Sequence, residues 1–242
     1  MEKPSEAAVS TRPRDRNGAA VEFPWDRLRF DWLEGAQPWR TFVWRYGQKN
    51  YSGSYWSATM SDHVIYESRL ELANLLLADF DHSVKFIAAQ PFLVTAVVDG
   101  LARKHIPDFA LLTDSGPTIM DVKPARKLDD PKVAFTLGWS RVLVEELGWQ
   151  YVIASEPDTL VVENVRFLAG YRRGWLFPTE LVEDLKSGAV DGLTFAEACR
   201  AFPDTSVRVV KATLLHLLWT GWFSVDLGTP LQSSMVLARG HL

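Results

Sequence analysis

Residues 105–130 read HIPDFALLTDSGPTIMDVKPARKLDD, and this stretch decides the fold. Two strand-like runs, 105–112 and 118–123, flank the turn TDSG, and the second run stops at Pro124. Side chains alternate faces along a strand, so Asp121 and Lys123 point the same way. A hairpin returning through TDSG brings Asp108 beside Asp121. The sequence therefore predicts two carboxylates and an ammonium group together at the end of a hairpin.

The flanking elements are a helix predicted over 61–80, a strand over 92–98 that ends in Asp99-Gly100, a second helix after Asp130-Pro131, and a strand over 150–155. The order is helix, three strands in a meander, helix, strand. This order predicts an α/β fold with a mixed sheet flanked by helices.

Two convergent carboxylates form a hard-oxygen site that suits Mg²⁺ or Mn²⁺. A neighbouring lysine can orient or deprotonate water, or stabilise the charge of a phosphoryl transition state. Upstream, Glu67 and Glu71 are spaced i, i+4 and share one helix face, so one of them could complete the site. Among the histidines, none forms a metal-binding spacing, and His105 is the one nearest to Asp108 in the sequence.

Composition excludes several classes of protein. The chain has 242 residues and a net charge of −4, which argues against a protein that coats nucleic acid but not against a nuclease. The single cysteine, Cys199, excludes an internal disulfide and a zinc cage. The sequence contains neither an apolar run of membrane length nor the apolar core of a secretion signal, so we expect an intracellular protein without a membrane partner.

Three regions are predicted. Residues 1–22 are expected to form a mobile arm, and 23–168 a catalytic domain with an aromatic-rich N-terminal extension. The aromatic residues between Phe23 and Trp56 could pack on the core or stack on bases. Residues 169–242 predict three helices and a hairpin, a winged helix. Its third helix is very apolar, which favours docking of a partner protein over reading of DNA sequence.

Asp108, Asp121 and Lys123 match the signature of PD-(D/E)xK nucleases, and the predicted order resembles their restriction-endonuclease-like αβββαβ core. Over roughly residues 50–240 the chain more narrowly resembles TnsA-type endonuclease subunits of heteromeric transposases, through ESRLELANLLL, AAQPF, HIPDFALL and DVKPARKLDD. The resemblance implies a catalytic, metal-binding glutamate at Glu71, metal-binding aspartates at Asp108 and Asp121, a metal-binding backbone carbonyl at Val122, and a catalytic lysine at Lys123.

The resemblance implies a Mg²⁺-dependent endodeoxyribonuclease, with Mn²⁺ as a substitute, that cuts the 5′, non-transferred ends of a mobile element. Its implied partners are double-stranded DNA at the transposon ends, a DDE-type transposase subunit and an AAA+ ATPase regulator. Its implied location is the bacterial cytoplasm, associated with the nucleoid when engaged. Two alternatives stay open: a stand-alone restriction or defence nuclease, and a non-catalytic scaffold of a transposition complex.

Overall fold

The computed structural model describes residues 3–13, 17, 19–40 and 51–240. These residues form two compact units. The first contains the described residues up to Ala78 together with Ser83–Glu156, and the second contains Asp79–His82 together with the described residues from Pro157 onward. The boundary at Glu156 replaces the one predicted after residue 168, because the helix over 159–168 packs with the C-terminal helices.

Strands predominate in the first unit, whereas the second unit is mainly helical. The strands are β1 (Ser5–Thr11), β2 (Val21–Pro24), β3 (Gly53–Ser57), β4 (Asp62–Tyr66), β5 (Val84–Ala89), β6 (Leu93–Val98), β7 (Leu101–His105), β8 (Phe109–Thr113), β9 (Gly116–Val122), β10 (Gln150–Ala154), β11 (Phe223–Ser224) and β12 (Ala238–Arg239). The helices are α1 (Asp31–Glu34), α2 (Arg69–Phe80), α3 (Pro131–Glu146), α4 (Thr159–Leu168), α5 (Thr179–Lys186), α6 (Phe195–Ala198) and α7 (Val207–Trp219).

A mixed sheet with strand order β10-β9-β8-β5 carries the candidate site. β8 pairs antiparallel with β5 and with β9, whereas β10 joins β9 in parallel after the crossover through α3. The α/β class and the mixed sheet are therefore as predicted. The predicted 105–112 strand is split, however: Pro107 has no N–H to donate to a ladder, and it lies between the end of β7 at His105 and the start of β8 at Phe109, which belong to different sheets.

A second sheet has the order β2-β1-β6-β7, with all its pairs antiparallel. The prediction of a mobile arm over 1–22 is wrong for β1, in which Ala8 pairs with Thr95 and Val9 is fully buried. Small and β-branched side chains let this strand lie against β6. The prediction that 92–98 belongs to the site's meander is wrong as well. β5 takes that place, and the β6–β7 hairpin is inserted between β5 and β8.

The predicted helix over 61–80 begins later than expected. α2 starts at Arg69, and residues 62–66 form β4, which pairs antiparallel with β3. Val64 and Tyr66 are buried at alternate positions, which is the period of a strand rather than of a helix. Tertiary pairing with β3 therefore overrides the helical spacing read from the sequence.

The core of the first unit lies between the sheets and α3, whose Trp139 and Leu143 are buried in it. α3 begins as predicted: Asp130 caps it by accepting a hydrogen bond from Lys132 N at 2.8 Å, and Pro131 occupies the first turn.

The N-terminal aromatic segment contributes to this core. Trp25 is buried and donates its indole N–H to the Leu143 carbonyl at 2.9 Å, so packing is the role observed for that ring. Trp32 keeps 40% of its surface exposed. Residues 41–50, which include Trp44, lie outside the described residues, so the stacking interpretation is untested there.

The second unit contains α4 to α7 and the two-residue strands of the β11–β12 hairpin. Thr194 and Glu197 form a capping box at the start of α6. Along α7, the apolar residues Val210, Leu214 and Leu217 are fully buried, whereas Arg208 and Lys211 are exposed. α7 is therefore mainly a core helix, as its apolar sequence indicates.

Across residues 3–13, 17, 19–40 and 51–240, no helix combines the length and the apolar character that crossing a membrane requires.

Candidate functional site: a lysine between two aspartates

Asp108 and Lys123 meet where β8 and β9 lie side by side. Phe109 is paired with Met120, so Asp108, one residue earlier, lies next to Asp121. Asp108 Oδ2 accepts hydrogen bonds from Val122 N at 2.7 Å and from Lys123 Nζ at 2.9 Å. The structure thus brings these side chains together as the hairpin prediction requires.

The Asp121 carboxylate lies on the other side of the Lys123 ammonium from Asp108, and it is not accessible to solvent. Its Oδ1 lies 3.8 Å from Lys123 Nζ, and its side chain is 0% exposed. His105 Nε2 lies 2.8 Å from Oδ2 and 3.0 Å from Oδ1. The Tyr151 hydroxyl donates to Oδ2. The carboxylate of Asp121 is therefore held on three sides by side chains from β7, β9 and β10.

Because of these contacts, the pKa values of Asp108 and Asp121 shift in opposite directions. Burial raises the pKa of Asp108, and the nearby Asp121 carboxylate adds to this effect while Lys123 opposes it. Burial also acts against ionisation of Asp121, but the hydrogen bond and charge of His105, with Lys123, hold its pKa below the ordinary value. Burial alone would lower the pKa of Lys123, yet Asp108 and Asp121 raise it. The site therefore contains an ammonium ion facing an ionised Asp121.

Glu71 lies in the first turn of α2 and helps to cap it. Its Oε1 accepts from Ser68 Oγ at 2.9 Å and its Oε2 accepts from Glu67 N at 2.6 Å, while Ser68 Oγ accepts from Glu71 N at 3.1 Å. Burial raises the pKa of Glu71 to about 7, with a further contribution from the charge of Asp108. The electrostatic influence of Asp108 places Glu71 near the aspartates, but the observed contacts of its carboxylate belong to the helix cap.

The raised pKa of Glu71 predicts a specific pH dependence of stability. A group whose pKa is higher in the folded state stabilises the fold below its unfolded pKa of 4.5, and this contribution is lost as the pH rises through about 7. Relative to Glu71→Gln, the wild type should lose of the order of 3 kcal/mol of unfolding free energy between about pH 4 and about pH 8. Urea denaturation at both pH values measures this difference. Glu145→Gln, an exposed change on α3, should follow the wild type, and parallel curves for Glu71→Gln and wild type would contradict the prediction.

Gln90 connects the start of α2 to the aspartate strand. Its side-chain Nε2 donates to Glu67 Oε1 at 2.8 Å, and its backbone N donates to the Asp108 carbonyl at 2.9 Å. Gln90 is buried and has a positive φ of 47°, so this close approach holds its backbone in a conformation that costs about 1–3 kcal/mol. Gln90 and Glu67 therefore help to position Asp108 at the start of β8.

Sequence reasoning placed His105 near Asp108, but the structure places it on Asp121, and Tyr151 was not predicted at all. No local signal identifies Tyr151, because it comes to share a sheet face with Asp121 only through the long-range parallel pairing of Tyr151 with Ile119. Within the part of the chain that the structure describes, no three His, Cys, Asp or Glu side chains are grouped to hold a metal ion. The metal-binding roles of Glu71, Asp108, Asp121 and the Val122 carbonyl therefore stay predictions.

Comparison of the sequence with models of protein families finds no match, and comparison with curated proteins finds none either. The geometry of the site and the motifs of the sequence are therefore what indicate a function.

Proposed function

We propose that this protein is a divalent-metal-dependent DNA endonuclease that acts as a subunit of a transposase, similar to TnsA-type proteins. One observation carries the proposal. Lys123 Nζ lies 2.9 Å from Asp108 Oδ2, 3.0 Å from the Val122 carbonyl oxygen and 3.8 Å from Asp121 Oδ1. Three oxygens thus converge on one positive charge.

The donor set at this point fits a hard cation. Carboxylate and carbonyl oxygens are the ligands that Mg²⁺ prefers, and the lysine ammonium shows that the cluster attracts positive charge. Asp108, Asp121 and the Val122 carbonyl would hold the metal, and Glu71 would join them by leaving its helix cap. When bound, a divalent cation supplies polarisation of the scissile phosphate and acidification of a water molecule.

The protein's own groups have distinct tasks in the proposed reaction. His105 and Tyr151 keep Asp121 ionised and oriented, while Lys123, displaced from the centre of the oxygens, holds the attacking water or the developing phosphate charge. Asp108, which is open to solvent on one side, faces the incoming DNA. The hydrolysis breaks the bond to the 3′ oxygen and leaves a 5′ phosphate.

The topology supports this assignment. α2 precedes β5, β8 and β9, which are antiparallel, and α3 leads to β10, which is parallel to β9. This order matches the αβββαβ core of PD-(D/E)xK nucleases once the β6–β7 hairpin is treated as an insertion. In the second unit, the order of α5, α6, α7 and the β11–β12 hairpin supports a winged helix.

Exposed apolar side chains in the second unit support docking of a partner protein. Trp175 is 66% exposed and Leu176 is 62% exposed, next to Arg172 and Arg173. Large exposed apolar residues at one place are typical of interaction surfaces. We assign this unit to docking of the DDE-type transposase or the AAA+ regulator at transposon ends, with the bacterial cytoplasm and nucleoid as the place of action.

Metal binding tests the proposal. Calorimetry should show Mn²⁺ binding to the wild type and none to Asp108→Ala, because that change removes the more exposed of the two aspartates. Asp114→Ala, which removes an exposed carboxylate on the same hairpin, should bind like the wild type. Cleavage of labelled transposon-end DNA by the wild type, with and without the transposase subunit, then separates a transposase subunit from a stand-alone nuclease.

A non-catalytic scaffold is the second candidate, and the closed position of Asp121 favours it. A wild type that folds but does not bind Mn²⁺, even with DNA present, would reject the nuclease and select the scaffold. Cleavage by purified Asp108→Ala protein would reject the assigned site.

A further inference from the structure

A positively charged groove lies in the first unit beside β7 and the start of α3. Its volume is about 670 Å³. The charged and aromatic side chains that line it are Asp99, Arg103, Lys104, Lys132, Phe135 and Trp139. The residues around the groove thus include three basic residues and one acidic residue, in a chain whose net charge is −4.

The cations of this groove are not neutralised by neighbours. The Arg103 guanidinium lies 5.2 Å above the Phe135 ring, a contact that orients the charge without cancelling it, and its buried Nε has no hydrogen-bond partner. Among the described residues, neither Lys104 nor Lys132 takes part in an ion pair. An oriented guanidinium in the same groove as the unpaired ammonium of Lys132 is suited to binding phosphate.

The groove and the aspartate cluster are linked through β7 and Trp139. Arg103 and His105 are two residues apart on β7, so they share a face of the strand. His105 contacts Asp121, and its ring meets the edge of Trp139 with centroids 6.2 Å apart. Two residues of a β-strand span about 6.6 Å, which is close to the axial rise of two base pairs of duplex DNA. A backbone running through the groove therefore reaches the candidate site within a few nucleotides.

We propose that this groove binds the phosphodiester backbone of duplex DNA beside the cleaved bond, with Arg103 and Lys132 contacting phosphates. The proposal rests on the proposed nuclease function and adds the path of the substrate to it. Trp139 is only 1% exposed and Phe135 is covered by Arg103, so the groove offers no aromatic platform on which unpaired bases could stack. Its contacts are instead those of a duplex backbone, which positions DNA without reading its sequence.

Fluorescence anisotropy tests the proposal, with the full chain, a labelled duplex of random sequence, and EDTA to prevent cleavage. The double variant Arg103→Gln/Lys132→Gln should bind at least about tenfold more weakly at low salt. Its plot of log affinity against log salt concentration should be shallower by about 2, since each phosphate contact contributes about 0.9. The control Lys3→Gln/Lys85→Gln has the same net charge as the double groove variant, and its plot should keep the wild-type slope.

A double variant that keeps both charges distinguishes the effect of lost charge from the effect of altered packing. Arg103→Lys/Lys132→Arg keeps both charges and should retain the wild-type slope, with folding of every variant checked by thermal melting. Three results would each overturn the proposal. They are equal slopes for the groove variant and the control, no binding by the wild type at low salt, and tighter binding of an RNA duplex of equal length.

This experiment is independent of the catalytic assignment. Asp108→Ala should bind the duplex at least as tightly as the wild type under EDTA. Loss of binding in the groove variant, together with DNA cleavage by Asp108→Ala, would reject the proposed active site and keep the groove. Cleavage that depends on Asp108, together with unchanged binding by the groove variant, would reject the groove alone.

Discussion

Lys123→Met should reduce the rate of DNA cleavage by at least about 10³-fold while Mn²⁺ binding persists. Methionine keeps most of the length of the side chain but removes the ammonium that lies between Asp108 and Asp121. Without that charge, the water or phosphate contact assigned to the lysine is lost. The oxygens that would bind the metal remain, and they no longer face a competing cation, so Mn²⁺ affinity should be equal to or higher than that of the wild type.

The rate is measured at saturating Mn²⁺ on labelled transposon-end DNA, and the affinity by calorimetry. Lys127→Met removes an exposed lysine four residues later and should leave both quantities unchanged. Simultaneous loss of cleavage and metal binding would show that Lys123 supports only the structure of the site. A rate within about tenfold of the wild type would contradict a catalytic role.

Val9→Asp should lower the free energy of unfolding by at least about 3 kcal/mol. Val9 is fully buried between β2 and β6, and nothing in its apolar surroundings would solvate a carboxylate there. The mobile-arm hypothesis predicts no effect at this position, so the variant distinguishes the two descriptions of the N-terminus.

Ser5→Asp introduces the same charge on an exposed position of the same strand and should change the stability by less than about 0.5 kcal/mol. Chemical denaturation followed by tryptophan fluorescence measures both variants. Equal unfolding midpoints for Val9→Asp and the wild type would show that β1 does not contribute to the folded core in solution.

Structural features that depend only on residues close together in the chain could be predicted from the sequence. The TDSG turn sets the register of β8 and β9, and that register alone places Asp108 beside Asp121. Asp130 and Pro131 mark the start of α3, and Thr194 with Glu197 marks α6. Each of these features depends on residues a few positions apart, whose backbone preferences are visible in a single sequence.

The sequence was insufficient where distant strands choose partners. β5 and β6 both look like half-buried strands, and nothing local shows that β5 joins the site's sheet while β6 joins β1. The pairing of β3 with β4 likewise replaced the first turns of a predicted helix. Tyr151 reaches Asp121 only because β10 docks beside β9, which is again a long-range event.

The pairing of Ala8 with Thr95 also has a consequence for the order in which the chain folds. β1 ends at Thr11 and β6 begins at Leu93, so their pairing closes a long loop. Closing so long a loop is entropically costly and slow, whereas the β8–β9 hairpin needs only a short turn. When the unfolded full-length chain refolds, the pairing of β1 with β6 is therefore expected to follow the hairpin that carries the two aspartates, so the chain passes through a stage in which Asp108 lies beside Asp121 while β1 has not yet joined β6.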